Sequence, residues 1–336
     1  VNGLVPLALV LAFGAPSASA EPDGGAVLAA AAEASPALRL SSRAAAPKPP
    51  KVCSSLDFDG VTWPDELTED DRAALEIALN ISGSYEGGDA WANLSDNFDG
   101  QGVSVGLLNQ CLGQGSLQPM LIRMRDEHPQ SLKALVSPDH LKSLLAMLAK
   151  WQTAPAQESS LGPPSALDEP GDRVVLKTTA ADKASVDWAA ANLYAGGKFQ
   201  PLWKSELGAL AASREYVSIQ ISAAVEDHDR ALSEEGEIGV RELRSYLMLF
   251  DVVVQNGRLY PEDLSDYAAY VKKTPKAGST ARLEKLLELR LRHVRSKYVE
   301  DVRSRKRAII LGTGTVHGEP RNLPVQYCYD GLWPYR

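Results

Sequence analysis

The sequence predicts an α+β fold that is mainly α-helical, with a small β-sheet lobe set against a helical lobe. Three observations carry this expectation. Apolar residues recur at helical spacing over most of the chain beyond residue 115. The segment 85–109 breaks instead into short apolar pieces punctuated by Gly, Asn, Asp and Ser. Residues 53–336 are also numerous enough for one large domain or two lobes sharing a cleft.

In chain order, the apolar run 5–13 is followed by Ala15-Pro16-Ser17-Ala18-Ser19-Ala20, whose end fits a small-x-small cleavage site. Residues 1–20 therefore read as a secretory signal, and an extracellular location is expected. The run is too short to cross a bilayer, which takes about 20 residues. Residues 21–52, rich in Ala, Pro and Ser, read as a disordered linker that ends in Ala46-Pro47-Lys48-Pro49-Pro50-Lys51. The folded domain is expected at 53–336.

Thr68-Glu69-Asp70-Asp71 reads as a helix start, a capping hydroxyl with acidic residues over the positive end of the dipole. Ala73, Leu75, Ile77, Ala78, Leu79 and Ile81 carry the helix to a stop at Gly83, with Glu86 within one turn. Val103, Val105, Leu107 and Leu108 mark a small twisted sheet. Helices are expected over 116–126, 138–151, 181–194, 206–226, 237–255, 262–272 and 280–306. The stretch 153–172, with Pro155, Pro163, Pro164 and Pro170, reads as a surface loop. There is no internal repeat. The two lobes would each carry one carboxylate, and a polymer could lie in the cleft between them.

A net charge of −8 and a pI near 5.3 argue against a phosphate-binding groove and suit a cationic or neutral ligand. No nucleic acid and no membrane partner is expected, and the protein reads as a monomer. Cys53, Cys111 and Cys328 are too few and too scattered for a metal cluster or a disulfide-built scaffold. One pair can oxidise after export. Cys53 and Cys328, near the two ends of the folded region, are the favoured pair, with Cys111 left free and buried.

Five histidines show no metal-ligand spacing, and neither Gly-x-Ser-x-Gly nor His-Glu-x-x-His occurs. No metal and no cofactor is expected. Aligning Gly100 with the invariant glycine of a calcium loop puts Gly106 where a bidentate glutamate is required, so that reading fails. The segment 312–318 faintly matches a dinucleotide fingerprint, but Pro320 and Pro324 prevent the helix that must follow. It reads as a loop packed near the cleft.

The chemistry centres on Glu86 and Asp99, thirteen positions apart. Splitting an acetal takes one carboxylic acid to protonate the leaving oxygen and one carboxylate on the other side of the sugar. Either residue alone would be an ordinary turn former beside glycine. Glu86 is expected against an apolar helix end beside Tyr85, where desolvation favours the neutral acid. Asp99 is flanked by Gly100 and Gly102, which let a substrate approach closely, and the Ser104 hydroxyl could hold an attacking water.

These residues resemble the chitosanases of glycoside hydrolase family forty-six, members of the lysozyme-like superfamily. The resemblance enters at Ser84-Tyr85-Glu86 and is most specific in Asp99-Gly100-Gln101-Gly102-Val103-Ser104-Val105-Gly106, similar to that family's Asp-Gly-Arg-Gly-Tyr-Thr-x-Gly. It implies a lysozyme-like fold with Glu86 as general acid, Asp99 as general base and Ser104 positioning the water. The run 250–257 resembles a family segment whose aspartate joins two arginines behind the acid. By that likeness Asp251 takes the aspartate's part, with Arg290 and Arg307 as its partners.

Tyr85, Gln101, Gln110, Gln255, Asn256 and His317 are the residues expected to touch substrate. Gln101 replaces the family's arginine, Ser104 replaces its threonine, and the interval between the carboxylates is shorter than in typical chitosanases. The implied activity is a secreted, endo-acting, inverting hydrolase of a β-1,4-linked amino-sugar polymer. The segments 113–119 and 314–318, with Gln110, also resemble bacterial lysozyme-like proteins thought to attack peptidoglycan, so chitosan and peptidoglycan stand as rival substrates. A carbohydrate-binding protein without turnover and a helical cell-surface scaffold are the readings from other classes.

Overall fold

A computed structural model describes residues 53–154 and 179–335, without the side chain of Asn256. The expected signal, the linker and residues 155–172 of the proline-rich loop lie outside the described residues.

Helix α1 (Glu69–Glu86) begins with a reciprocal cap in which the Thr68 hydroxyl accepts from the Asp71 N–H and the Asp71 carboxylate accepts from the Thr68 N–H. The helix does not stop at Gly83 as expected. A Cβ on Gly83 would stand 2.3 Å from Leu107 Cδ1, so this glycine lets Leu107 lie tight against the helix. One further turn then brings Glu86 to the helix end, beside the sheet.

That sheet is antiparallel, in the order β1 (Leu94–Ser95), β2 (Ser104–Val105), β3 (Gln110–Cys111). Ser95 pairs with Ser104, and Ser104 with Cys111, at one end; Leu94, Val105 and Gln110 align at the other. Val103, Val105 and Leu112 bury into one apolar core, and Leu107 into a second. The sheet therefore lies along the seam between two cores.

The core holding Val105 is built out by helices, so the smaller lobe is itself largely helical. These are α2 (Leu117–Glu127), α3 (Pro129–Leu135), α4 (Pro138–Thr153), α5 (Ala180–Asn192) and, after the hairpin β4 (Tyr194–Ala195) and β5 (Lys198–Phe199), α6 (Pro201–Ala211). Helix α7 (Arg214–Ile238) serves both cores, Tyr216 and Ile219 entering the first and Val217, Ile221 and Ala224 the second. Around the second core stand α1, α8 (Leu243–Asn256), α9 (Pro261–Lys273), α10 (Ser279–Leu291) and α11 (Val299–Leu311).

Three expected helices differ in extent. The stretch 206–226 spans the junction of α6 and α7, because the Ser213 hydroxyl accepts from the Tyr216 N–H and starts a new helix. The stretch 237–255 begins later, since Gly239 (φ 66°) ends α7 in the left-handed region. The stretch 280–306 divides at 292–298, and Glu300 and Asp301 then occupy the first turn of α11.

The loop expected at 312–318 is a hairpin of β6 (Thr313–Val316) and β7 (Glu319–Asn322). Its two-residue turn, His317-Gly318, has positive φ at both positions (54° and 82°), the geometry that matches strand twist. After α12 (Leu323–Tyr327), Cys328 is disulfide-bonded to Cys53, and Cys111 is free and buried. Among the described residues, no helix is long and apolar enough to cross a membrane.

Candidate active site

Glu86 meets a guanidinium and an amide where sequence reasoning expected an apolar pocket. Arg305 Nη2 lies 2.8 Å from Glu86 Oε1, and Asn109 Nδ2 donates to Glu86 Oε2 at 3.1 Å. Asn109, in the left-handed region at φ 52°, is itself held: its Oδ1 accepts from Asn93 Nδ2 at 2.9 Å and from the Ser95 hydroxyl at 3.4 Å. The Glu86 side chain keeps 18% of its surface exposed, so the carboxylate is oriented but reachable.

Behind it stands Asp251, wholly buried on α8. Arg305 Nη2 donates to Asp251 Oδ1 at 2.7 Å, and Lys306 Nζ lies 2.7 Å from Oδ2. Burial alone would raise the Asp251 carboxyl, but the two cations outweigh it and hold the group well below the usual carboxylate range. The same carboxylates, against the cost of burial, hold the Arg305 guanidinium above its ordinary value.

Tyr85 closes the network from α1, with the Arg305 and Arg321 guanidinium carbons 4.9 and 5.6 Å from its ring centre and His317 edge-on at 6.4 Å. Burial, then the Asp251 charge, push its phenol up.

Arg290 and Arg307 do not partner Asp251. Arg290 is buried over the Tyr260 ring, 5.0 Å from its centre, and Arg307 lies on the outer face of α11, paired with Glu284 at 3.2 Å. The cations come from the neighbouring positions Arg305 and Lys306. A signal for them exists in the sequence: Val302, Arg305, Lys306 and Ile309 fall at i, i+3, i+4 and i+7, the spacing of an inward stripe. Asn109, Asp301 and Arg321 were also missed, and Asn109 had no sequence signal beyond a turn residue.

Asp99 is exposed and ends a short 3-10 turn, Asn97–Asp99, in the β1–β2 connection. The loop is tied by the Gln101 N–H donating to Asp99 Oδ1 (3.1 Å) and the Gly102 N–H donating to Asn97 Oδ1 (2.6 Å), with Tyr194 donating to the Gly102 carbonyl at 2.7 Å. Gly100 and Gly102 (φ 80° and 84°) supply the turn, and a Cβ on Gly102 would crowd Val186 at 3.2 Å.

The connection holding Asp99 leaves the sheet at the Ser95–Ser104 end, while the β2–β3 turn that carries Asn109 to Glu86 leaves at the other. A strand of two residues spans about 7 Å. Ser104 is buried on the central strand between them.

The remaining expected contacts divide. Gln255 joins the Glu86 network by accepting from Lys306 Nζ, and its Nε2 donates to Asp301 Oδ2 at 2.9 Å, with His317 Nε2 2.6 Å from Asp301 Oδ1. Gln101 turns inward, its Oε1 accepting from Cys111 Sγ at 3.6 Å, and Gln110 is half-buried on β3 opposite Val105. The side chain of Asn256 is outside the described residues. Among the described residues, no group of three or more His, Cys, Asp or Glu side chains is placed to hold a metal ion.

No family model matches this sequence, and no curated protein resembles it at the sequence level. Among solved structures, the chain is similar to a chitosanase of glycoside hydrolase family 46 from Gynuella sunshinyii, in complex with chitotetraose. The identity is 17% and the TM-score 0.40, over 74% of this chain and 88% of that one.

Proposed function

We propose that the protein is a secreted, endo-acting glycoside hydrolase that cleaves β-1,4 linkages in an amino-sugar polymer with inversion, chitosan being the substrate. The observation that carries this reading is Glu86 itself: a partly buried carboxylate, 18% exposed, fixed from behind by Arg305, which Asp251 anchors, and from the side by Asn109, with exposed Asp99 across the small sheet. In this reading Glu86 protonates the leaving oxygen. A sugar laid over it excludes the water that its charged form needs. Asp99, with the Ser104 hydroxyl, activates a water on the opposite face. Inversion calls for carboxyl groups about 6.5–9.5 Å apart, wide enough for that water. The net charge of −8 supports a cationic polymer over a neutral one.

The test is reducing-end release from chitosan and from purified cell wall, measured side by side for the native protein, Glu86→Gln and Asp99→Asn. Release from chitosan that falls by a factor of about 10³ or more in Glu86→Gln, with an unchanged melting temperature, is the expected result. Release from cell wall alone assigns peptidoglycan as the substrate. Binding of either polymer without release makes the protein a carbohydrate-binding module.

A further inference from the structure

We propose that Lys306 is a positioning residue for the candidate acid: by occupying one oxygen of Asp251 it prevents Arg305 from closing onto Asp251 and leaves that guanidinium to bridge to Glu86.

Arginine and carboxylate ordinarily pair through two parallel N–H···O bonds. Asp251 does not receive Arg305 in that way, because its two oxygens are divided. Arg305 Nη2 takes Oδ1 at 2.7 Å, and Lys306 Nζ takes Oδ2 at 2.7 Å. The same Nη2 also forms an ion pair with Glu86 Oε1 at 2.8 Å. Two carboxylates thus meet two cations, and the cluster is neutral when Glu86 is charged.

Besides its ion pair with Asp251 Oδ2, the Lys306 ammonium donates to the Asp251 carbonyl at 3.1 Å and to Gln255 Oε1. Gln255 passes the contact to Asp301, and Asp301 to His317 at the tip of the β6–β7 hairpin. The ammonium is therefore anchored on three sides, and its place on Asp251 is not interchangeable with that of Arg305.

The charged groups facing this lysine are Asp251 on α8, Arg305 on its own helix and Glu86 on α1. On the side of α10, Arg307 and Glu284 pair on the outer face. Around Arg305 stand Tyr85, with Arg321 and His317 beyond its ring. Burial is the main influence on the lysine and pushes it down to about 8, against the pull of Asp251. It should lose its charge within an accessible pH range.

The consequence for turnover rests on the glycosidase reading; the geometric consequence does not. The first test is the crystal structure of Lys306→Met. Arg305 should be found forked onto both oxygens of Asp251 and withdrawn from Glu86, with Lys306→Arg restoring the bridge. A Lys306→Met structure in which Arg305 still bridges both carboxylates overturns the proposal.

Because Lys306 is buried, the variant could fail to fold, and a second measurement needs no substitution. The Arg305 side-chain N–H signals, followed by NMR from pH 6 to 10 in the native protein, should shift with a midpoint near 8. Arg305 signals that stay fixed while the Lys306 ammonium itself titrates, read from its own Nζ resonance, also overturn it. If the protein hydrolyses chitosan, Lys306→Met should lower kcat at least tenfold with KM within threefold, and should move the basic limb of the pH–rate profile; a purely structural loss would leave that limb in place. A native protein with no hydrolytic activity ends the glycosidase reading while leaving the crystallographic and NMR outcomes to decide this one.

Discussion

A single nitrogen of Arg305 holds Glu86 at 2.8 Å and Asp251 at 2.7 Å, so the partly exposed carboxylate and the wholly buried one share one guanidinium. The arrangement makes the candidate acid a mechanical extension of the core: α11 carries the guanidinium, α8 carries its buried anchor, and α1 ends on Glu86. Removing Arg305 would leave Asp251 buried with one cation in place of two. Arg305→Met should therefore cost about 3–5 kcal/mol, the range for breaking a buried ion pair by deleting one partner. Arg305→Lys should cost less, yet still sever Glu86, because the shorter lysine does not carry its nitrogen to the place of Nη2. Urea unfolding of the three proteins measures the difference. A Met variant as stable as the native protein would show that the shared guanidinium contributes nothing to the fold.

Gly83 sets how closely the β2–β3 turn approaches α1. In an exposed helix, replacing glycine by alanine gains up to about 1 kcal/mol. Here the added methyl would stand 2.3 Å from Leu107 Cδ1 and 2.6 Å from Cγ, so Leu107, buried at 2% exposure, must move bodily. Overpacking of this kind costs about 1–3 kcal/mol. Gly83→Ala should be destabilising by about 1 kcal/mol net. Leu107→Ala on its own should also destabilise, but the two together should lose less than their sum. A double-mutant cycle with no favourable coupling would argue that the turn does not bear on the helix.

How far the sequence was legible depended on the range over which each signal acts. The cap at Thr68 and Asp71 is local, and it was read correctly. Asp251 is singled out only by the resemblance of 250–257 to a family segment whose aspartate joins two arginines. The partners Arg290 and Arg307 rest on that resemblance alone, and the structure replaces them with Arg305 and Lys306, because α11 starts afresh at Val299 and its own phase decides which cations face inward. Read from Val302 onward, Arg305 and Lys306 occupy the inward stripe and Arg307 does not. Gly83 was read as a stop because glycine weakens a helix, while the reason it is tolerated, Leu107, lies 24 residues away. Asn109 was invisible for the same reason: its value comes from Glu86 and Asn93, which only tertiary structure brings to it.

The Cys53–Cys328 disulfide closes a loop of sequence separation 275 and ties the entry of the described domain to its last turn, where the Cys53 N–H also donates to the Tyr327 carbonyl at 3.2 Å. Closing so long a loop restricts the unfolded chain, and removal of such a bridge typically costs about 2–5 kcal/mol. Neither cysteine contacts the Glu86 network, so reduction should lower the melting temperature while leaving room-temperature activity intact. Calorimetry with and without reductant tests the first half of this. Activity assayed at room temperature with and without reductant tests the rest, and Cys111, which is buried, should stay unreactive to a thiol reagent until unfolding in either state.

Glu234 should make the protein less stable as pH rises from about 4.5 to about 7. It lies on α7 at 6% exposure, and its Oε1 accepts from the Leu259 N–H at 2.8 Å. Burial, partly offset by that hydrogen bond, pushes its carboxyl up from an ordinary 4.5 to about 7. Between these values the folded state holds a proton that the unfolded state releases. Stability is then fully present below the unfolded value and is lost as pH rises toward 7, by about 3 kcal/mol in all. Asp227, also raised by burial, to about 6, adds to the trend with the same sign. Glu234→Gln keeps an oxygen for the Leu259 N–H and removes the titration. The variant should gain on the native protein in urea midpoint as pH goes from 5 to 8, and a gap between them that stays constant over that range would assign the pH dependence elsewhere.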